Sequence, residues 1–207
     1  MDIDFADLSP GRAYGLLASL IVPRPIAWAT TLNEDGSVNA APYSFFNCIG
    51  ADPPLVVISI GNRGDAEAED GSRLWKDTGR NLERHGGFVV NVVDAGVQRA
   101  MNATAGNHPP GASEVEALGL ATAPAPGTDV PRIADAPAAF TCRHEATHHV
   151  GNNHIVFGRI THAFTRDGVI DPETMRFNHG TVDPIGRMAP PGWYCRTTDQ
   201  FELDRPG

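Results

Sequence analysis

Residues 23–60 read PRPIAWATTLNEDGSVNAAPYSFFNCIGADPPLVVISI. Residues 26–32 (IAWATTL) mix β-branched and aromatic side chains without a helical period, which predicts a strand. Asn33-Glu34-Asp35-Gly36 is a turn, because Asp-Gly supplies the positive φ that a tight reversal needs. Residues 37–44 then return as the second strand of a hairpin. Asp52-Pro53-Pro54 breaks the chain before a short apolar strand, Leu55 to Ile60.

The same pattern extends in both directions. Upstream, residues 9–18 predict a short helix with Ser9 as N-cap and Pro10 at the first position. Downstream, residues 61–73 are polar and predict a loop. Residues 76–85 (KDTGRNLERH) predict a helix capped by Asp77 or Thr78 and stopped by Gly86-Gly87. Phe88 to Val93 is a further buried strand, followed by a helix over 95–104. Residues 105–137, rich in Ala, Pro and Gly, predict a long excursion with one short helix near Ser113–Leu118. Two strands, 139–148 and 153–165, flank Gly151-Asn152. Gly168 marks a turn, and 184–199 reads as irregular. Six or more strands with a few short helices define a mainly β protein, a barrel with helical additions.

Bulk properties narrow the function. The chain has 207 residues, 41% of them apolar, enough for one domain with a substantial core. The formal net charge is −9 and no Lys/Arg run is present, which argues against nucleic acid as a partner. An anionic ligand would need cations placed against that global sign, and Arg24, Arg63, Lys76 and Arg187 are the candidates. No apolar run approaches the roughly 20 residues of a membrane helix. Cys48, Cys142 and Cys195 form no CxxC pair, and their odd number argues against a disulfide framework. The acidic start Met1-Asp2-Ile3-Asp4 lacks the basic opening of a secretory signal. The expectation is a cytoplasmic protein with no membrane association. No G-x-x-x-x-G-K-[ST] loop and no G-x-G-x-x-G after a strand is present, so neither a nucleotide hydrolase nor a Rossmann site is expected.

Taken in order, several segments carry a resemblance. They are Pro23-Arg24-Pro25, Thr30-Thr31, Asp35-Gly36, Asn39-Ala40-Ala41-Pro42 with Ser44-Phe45-Phe46-Asn47, and Asp52-Pro53-Pro54. Lys76-Asp77-Thr78-Gly79-Arg80-Asn81, Phe88-Val89-Val90-Asn91, Gly186-Arg187 and Tyr194 follow. Together they resemble the flavin reductase-like, FMN-binding split-barrel family, which includes flavoredoxins, over nearly the whole chain. The resemblance implies a single domain over 1–207 with a Greek-key split β-barrel and short peripheral helices. It also implies bound FMN, with NADH or NADPH as hydride donor and a monooxygenase or other redox partner as acceptor. It further implies a homodimer with the flavin near the interface, and 105–137 is the candidate for reaching the partner subunit. The alternatives are a flavoredoxin-like electron carrier without NAD(P)H turnover and a barrel that lost its cofactor. Retention of Ser59, Lys76, Thr78 and Asn81 weighs against the latter.

FMN asks a protein for anion binding at its phosphate, polar groups along the ring edge and flat apolar walls. A helix N-terminus suits the phosphate. Lys76 and Thr78 stand at one, with Asn81 a turn further along, and Ser59 and Arg63 are further phosphate candidates. Asp77, being anionic, is better placed as the cap. Ser44, Phe45 and Asn47 are candidates for the ring edge, with one of Phe45 and Phe46 in the core and the other at the pocket. Thr30 and Thr31 end the preceding strand and could bond the flavin. Arg187 and Tyr194 join the set through the resemblance. The histidines on the paired strands read as barrel wall, because His148 and His149 point to opposite faces and no acidic or cysteine partner recurs at ligand spacing. Cys48 is expected to be a small buried hydrophobe. No catalytic side chain is assigned, since hydride transfer to a flavin requires no protein acid or base.

Overall fold

The computed structural model describes residues 1–67 and 73–204. Its helices are α1 (Pro10–Leu20), α2 (Asp77–His85), α3 (Gln98–Ala103) and α4 (Glu114–Ala117). Its first strands are β1 (Ala27–Leu32), β2 (Val38–Tyr43), β3 (Phe46–Ala51), β4 (Pro54–Glu67), β5 (Arg73–Trp75) and β6 (Gly87–Asn91). Short β7 (Thr122–Ala123) and β8 (Arg132–Ile133) precede the long β9 (Ala138–Val150) and β10 (Asn153–Thr165). β11 (Ile170–Asp171), β12 (Arg176–Phe177), β13 (Ile185–Arg187) and β14 (Tyr194–Arg196) complete the order.

One antiparallel sheet runs β2-β1-β6-β9-β10-β4-β3, with β5 on β4. Its two end strands, β2 and β3, are consecutive in sequence and joined only by Ser44-Phe45. A sheet whose ends are tied by two residues must curl until those ends meet. They meet without a ladder between them, so the barrel is split there. The interior confirms the curl. Ala27 and Ala29, Tyr43, Val56, Ile58 and Ile60, Phe88 and Val90, Cys142 and Val156 come from strands all around the sheet and pack as one core, which Leu82 of α2 joins. Alternation sends Trp28 the other way, into a second cluster with Val97, Met101, Val115 and Ile133.

Several boundaries differ from the sequence expectation. β4 runs on to Glu67, through much of the segment expected to be loop. Pairing with β10 carries it as far as Gly61, and pairing with β5 carries it beyond. A further strand, β3, occupies 46–51 because it pairs with β4. The supposedly irregular 184–199 contains the β13–β14 hairpin. The excursion 105–137 packs back on the chain's own core: Val115, Val130, Ile133 and Ala136 are buried and Leu120 lies against the second cluster. Of Val115, Leu118 and Leu120, only Leu118 is exposed.

Candidate functional site

The first turn of α2 organises a pocket. Lys76 is the N-cap, with extended backbone and no side-chain cap bond, so the leading amides of the helix face outward. Asp77, expected to cap, is instead the first helical residue. It is buried and ion-paired, accepting from Arg63 Nη1 at 3.1 Å and also from Arg80. Arg63, on β4, donates its other terminal nitrogen to the His108 carbonyl. One guanidinium thus links strand, helix and the 104–108 segment. Trp75 lies against the helix start so closely that a Cβ at position 79 would fall 2.4 Å from its ring, which is why Gly79 is glycine.

The pocket, of about 180 Å³, is lined by Asn39, Ala41, Pro42 and Tyr43 of β2, Arg63, Lys76, Asp77 and Thr78, residues 104–108, and Glu114. The Lys76 ammonium sits 5.8 Å from the Tyr43 ring centroid. Desolvation, then the neighbouring Arg63, lower its pKa. Tyr43 is buried, and its hydroxyl lies beside Thr78 without a hydrogen bond of good geometry to any described residue. Burial pushes its pKa up, so the group stays a neutral donor. An uncapped nine-residue helix, two cations and an unsatisfied hydroxyl converging on one cavity are what an anionic ligand group requires.

Arg63, Lys76 and Thr78 are the sequence-predicted residues that meet here. Thr78 Oγ1 accepts from Asn39 Nδ2 at 2.9 Å and keeps its own proton to donate. Thr31 and Asn81 lie behind the pocket in a buried polar network. Asn39 Nδ2 and Asn81 Nδ2 both donate to Thr31 Oγ1, at 3.1 and 3.0 Å, and Asn81 also reaches Asn33 Oδ1 at 2.9 Å. These bonds pin α2 to β1 and β2. Thr30 points to the opposite sheet face, where it donates to the Pro131 carbonyl at 2.7 Å, and it stands apart from the pocket.

Ser44, Phe45, Asn47 and Ser59 continue from the Tyr43 wall along the split seam. Ser44 Oγ accepts from Arg24 at 3.4 Å, and Ser59 N–H donates to the Phe45 carbonyl at 2.8 Å. Asn47 is exposed, its Oδ1 accepting from the Cys48 amide. Phe46 packs on the core, whereas Phe45 is exposed beside Tyr14, with ring centroids 5.8 Å apart. Cys48, expected to be buried, is exposed. Arg187 and Tyr194 face each other on the C-terminal hairpin, where the Arg187 and Arg24 backbones pair and Tyr194 hydroxyl reaches Asn102. They do not line the pocket. Arg24 itself is buried, bonding the Ala18, Ile21 and Met188 carbonyls, and ties α1 to this hairpin. Sequence reading missed Tyr43, Glu114 and the 104–108 segment. Tyr43 looks like any strand aromatic, and the others reach the pocket only through tertiary packing.

The histidines divide by contact. His154 is buried, with Nε2 2.7 Å from Asn62 Oδ1 and Nδ1 2.8 Å from His149 Nδ1, and its ring lies 3.7 Å from that of Trp75. Burial, then His149, lowers its pKa. The pair braces Trp75 from behind. Among the described residues no group of three or more His, Cys, Asp or Glu has metal-binding geometry. Treatment with a strong chelator is therefore expected to leave the circular dichroism spectrum and flavin affinity unchanged. Stoichiometric zinc or iron whose removal abolishes either would contradict this.

With this geometry in view, comparison with known proteins defines the class. A flavin reductase like domain matches residues 19–186. The chain belongs to that family, and its barrel is the split barrel of flavin reductases. It is 36% identical to the 2-nitrobenzoate 2-nitroreductase of Pseudomonas fluorescens, covering 100% of this chain and 96% of that one, with a TM-score of 0.87. Against component B of nitrilotriacetate monooxygenase from Bacillus cereus the identity is 30%, over 98% of each chain, with a TM-score of 0.87. An uncharacterized protein of Deinococcus radiodurans is 38% identical over 98% of this chain and 88% of its own.

Proposed function

We propose that the protein is an FMN-dependent oxidoreductase that takes hydride from NADH or NADPH and passes electrons to an acceptor. The observation that carries the FMN assignment is the α2 pocket, where Lys76, Arg63, the uncapped helix start and the orphaned Tyr43 hydroxyl would hold the phosphate. Bound flavin would supply the redox chemistry. The chain's own residues bind and orient. Lys76 and Arg63 neutralise the phosphate, Thr78 and Tyr43 donate to it, and the Thr31–Asn39–Asn81 network keeps the helix start from shifting. Ser44, Phe45, Asn47 and Ser59, on the adjoining seam, offer backbone groups and an aromatic face to the ring.

The names of the similar structures suggest two acceptor classes: a nitroaromatic acid such as 2-nitrobenzoate, or a monooxygenase of which this chain would be one component. The flavoredoxin-like alternative predicts bound flavin without NAD(P)H turnover. The test is the absorption spectrum of the purified protein, then NADH and NADPH oxidation with and without added FMN, then with 2-nitrobenzoate. Flavin-dependent oxidation of either nicotinamide supports the reading. A protein that binds flavin but oxidises neither nucleotide favours the electron carrier.

A homodimer is part of this reading, with the face of α1 as a candidate interface. Tyr14, Leu17, Leu20 and Ile21 on and after α1 are exposed, and Phe45, in contact with Tyr14, is exposed beside them. A two-fold pair is the commonest way to cover such a patch. Sedimentation at micromolar concentration should give a dimer, and Leu20→Glu should shift it toward monomer. A parent that sediments as a monomer while holding FMN would contradict this.

A further inference from the structure

Glu114 is a charged side chain that the phosphate reading leaves unexplained. It begins α4, is only 6% exposed, and lines the same cavity as Lys76, Arg63 and Tyr43. It cannot swing clear. Oε2 accepts the Ala40 amide of β2 at 2.9 Å, and the preceding Ser113 donates its hydroxyl to the Val38 carbonyl at 2.6 Å. A carboxylate pinned in a pocket built for an anion would repel that anion. We propose that Glu114 selects a phosphate monoester by holding one proton jointly with the bound phosphate.

The chemistry is that of two acids sharing a site, of which only one ionises fully. The proton resides on the Glu114 carboxyl or on a phosphate oxygen and bridges the two. It comes with the ligand at low pH and from solvent at high pH. A phosphate monoester suits this because its second ionisation lies at about pH 6. A phosphodiester cannot carry such a proton near neutrality. Burial raises the Glu114 pKa, with Asp77 adding to the effect, while the Ala40 bond and His108 oppose it. The charged and titratable groups around it are Asp77 and Lys76 from α2 and its cap, Arg63 from β4, Tyr43 from β2 and His108.

This inference rests on placing the FMN phosphate in the pocket, and calorimetry separates the two claims. Binding is measured at pH 8 in two buffers of different ionisation enthalpy, with FMN and with riboflavin. The parent should take up about one more proton with FMN than with riboflavin. Its FMN affinity should fall by up to about tenfold per pH unit between roughly pH 7 and 9. In Glu114→Gln the extra uptake should vanish and the fall should flatten, since Lys76, His108 and the other groups are common to both proteins. A parent that prefers FMN to riboflavin yet takes up no extra proton overturns the inference, whether or not the variant folds, and leaves the phosphate placement standing. So does a Glu114→Gln protein that keeps the full uptake. A parent that does not distinguish FMN from riboflavin overturns both.

Discussion

Lys76→Ala is expected to weaken FMN binding by about 10- to 150-fold, and Arg80→Ala by much less. Lys76 forms no ion pair among the described residues, and its ammonium stands at the pocket over Tyr43. Its charge is therefore available to a ligand. Arg80 is committed to Asp77, which Arg63 also holds, so its loss leaves that carboxylate paired. Removing one charge-assisted contact costs about 1.5–3 kcal/mol, which gives the stated range. Salt should blunt the effect, because Lys76 is exposed at the pocket. Thr78→Ala should show a smaller loss, of one neutral hydrogen bond. Fluorescence-quench titration of each variant, with circular dichroism to verify the fold, decides the order. Parent-like binding by Lys76→Ala together with weak binding by Arg80→Ala would place the phosphate elsewhere.

Trp28→Ala should destabilise the fold by about 3–5 kcal/mol, the usual cost of removing a large buried aromatic. Trp28 is fully buried in the second cluster, against residues from β2, α3 and the 105–137 segment. Its Nε1 donates to Thr104 Oγ1 at 3.0 Å. Thr104 also lines the α2 pocket, so the same ring anchors one edge of the candidate site. The variant should therefore lose flavin affinity even where it remains folded. Trp28→Phe, which keeps most of the packing and loses the N–H donor, should fall well short of that loss. Urea melts of parent and variants give the comparison. A Trp28→Ala protein within about 1 kcal/mol of the parent would show that the excursion does not depend on this anchor.

The barrel was legible because its signals are local. Asp35-Gly36 between two apolar runs marked the β1–β2 hairpin, and Gly151 lies in the turn of β9–β10. The polar start at Asp77-Thr78 and the Gly86-Gly87 stop marked α2, and the left-handed Gly86 does end it. What failed was non-local. Polar residues 61–67 look like a loop until β10 and β5 are there to pair with them. The Asp77 cap was plausible from residue type, but Arg63, fourteen positions earlier, draws that carboxylate into an ion pair. The site followed the same rule. Lys76, Thr78 and Arg63 were visible because charge and helix position suffice to suggest an anion. Thr31 and Asn81 were visible as polar residues, but only packing reveals that they bond each other. Glu114 was invisible, because nothing in a four-residue helix within a long excursion indicates that its carboxylate faces a strand 74 residues earlier in sequence.

The central claim is that the start of α2 receives the phosphate of a flavin mononucleotide. The most direct measurement is the ratio of FMN to riboflavin affinity in the parent protein, since the two ligands share the ring and differ only in that phosphate. Lys76, Arg63, Tyr43 and Thr78 acting together predict FMN binding tighter by at least about tenfold, the effect of even one charge-assisted contact. Equal affinities for the two ligands would contradict the account.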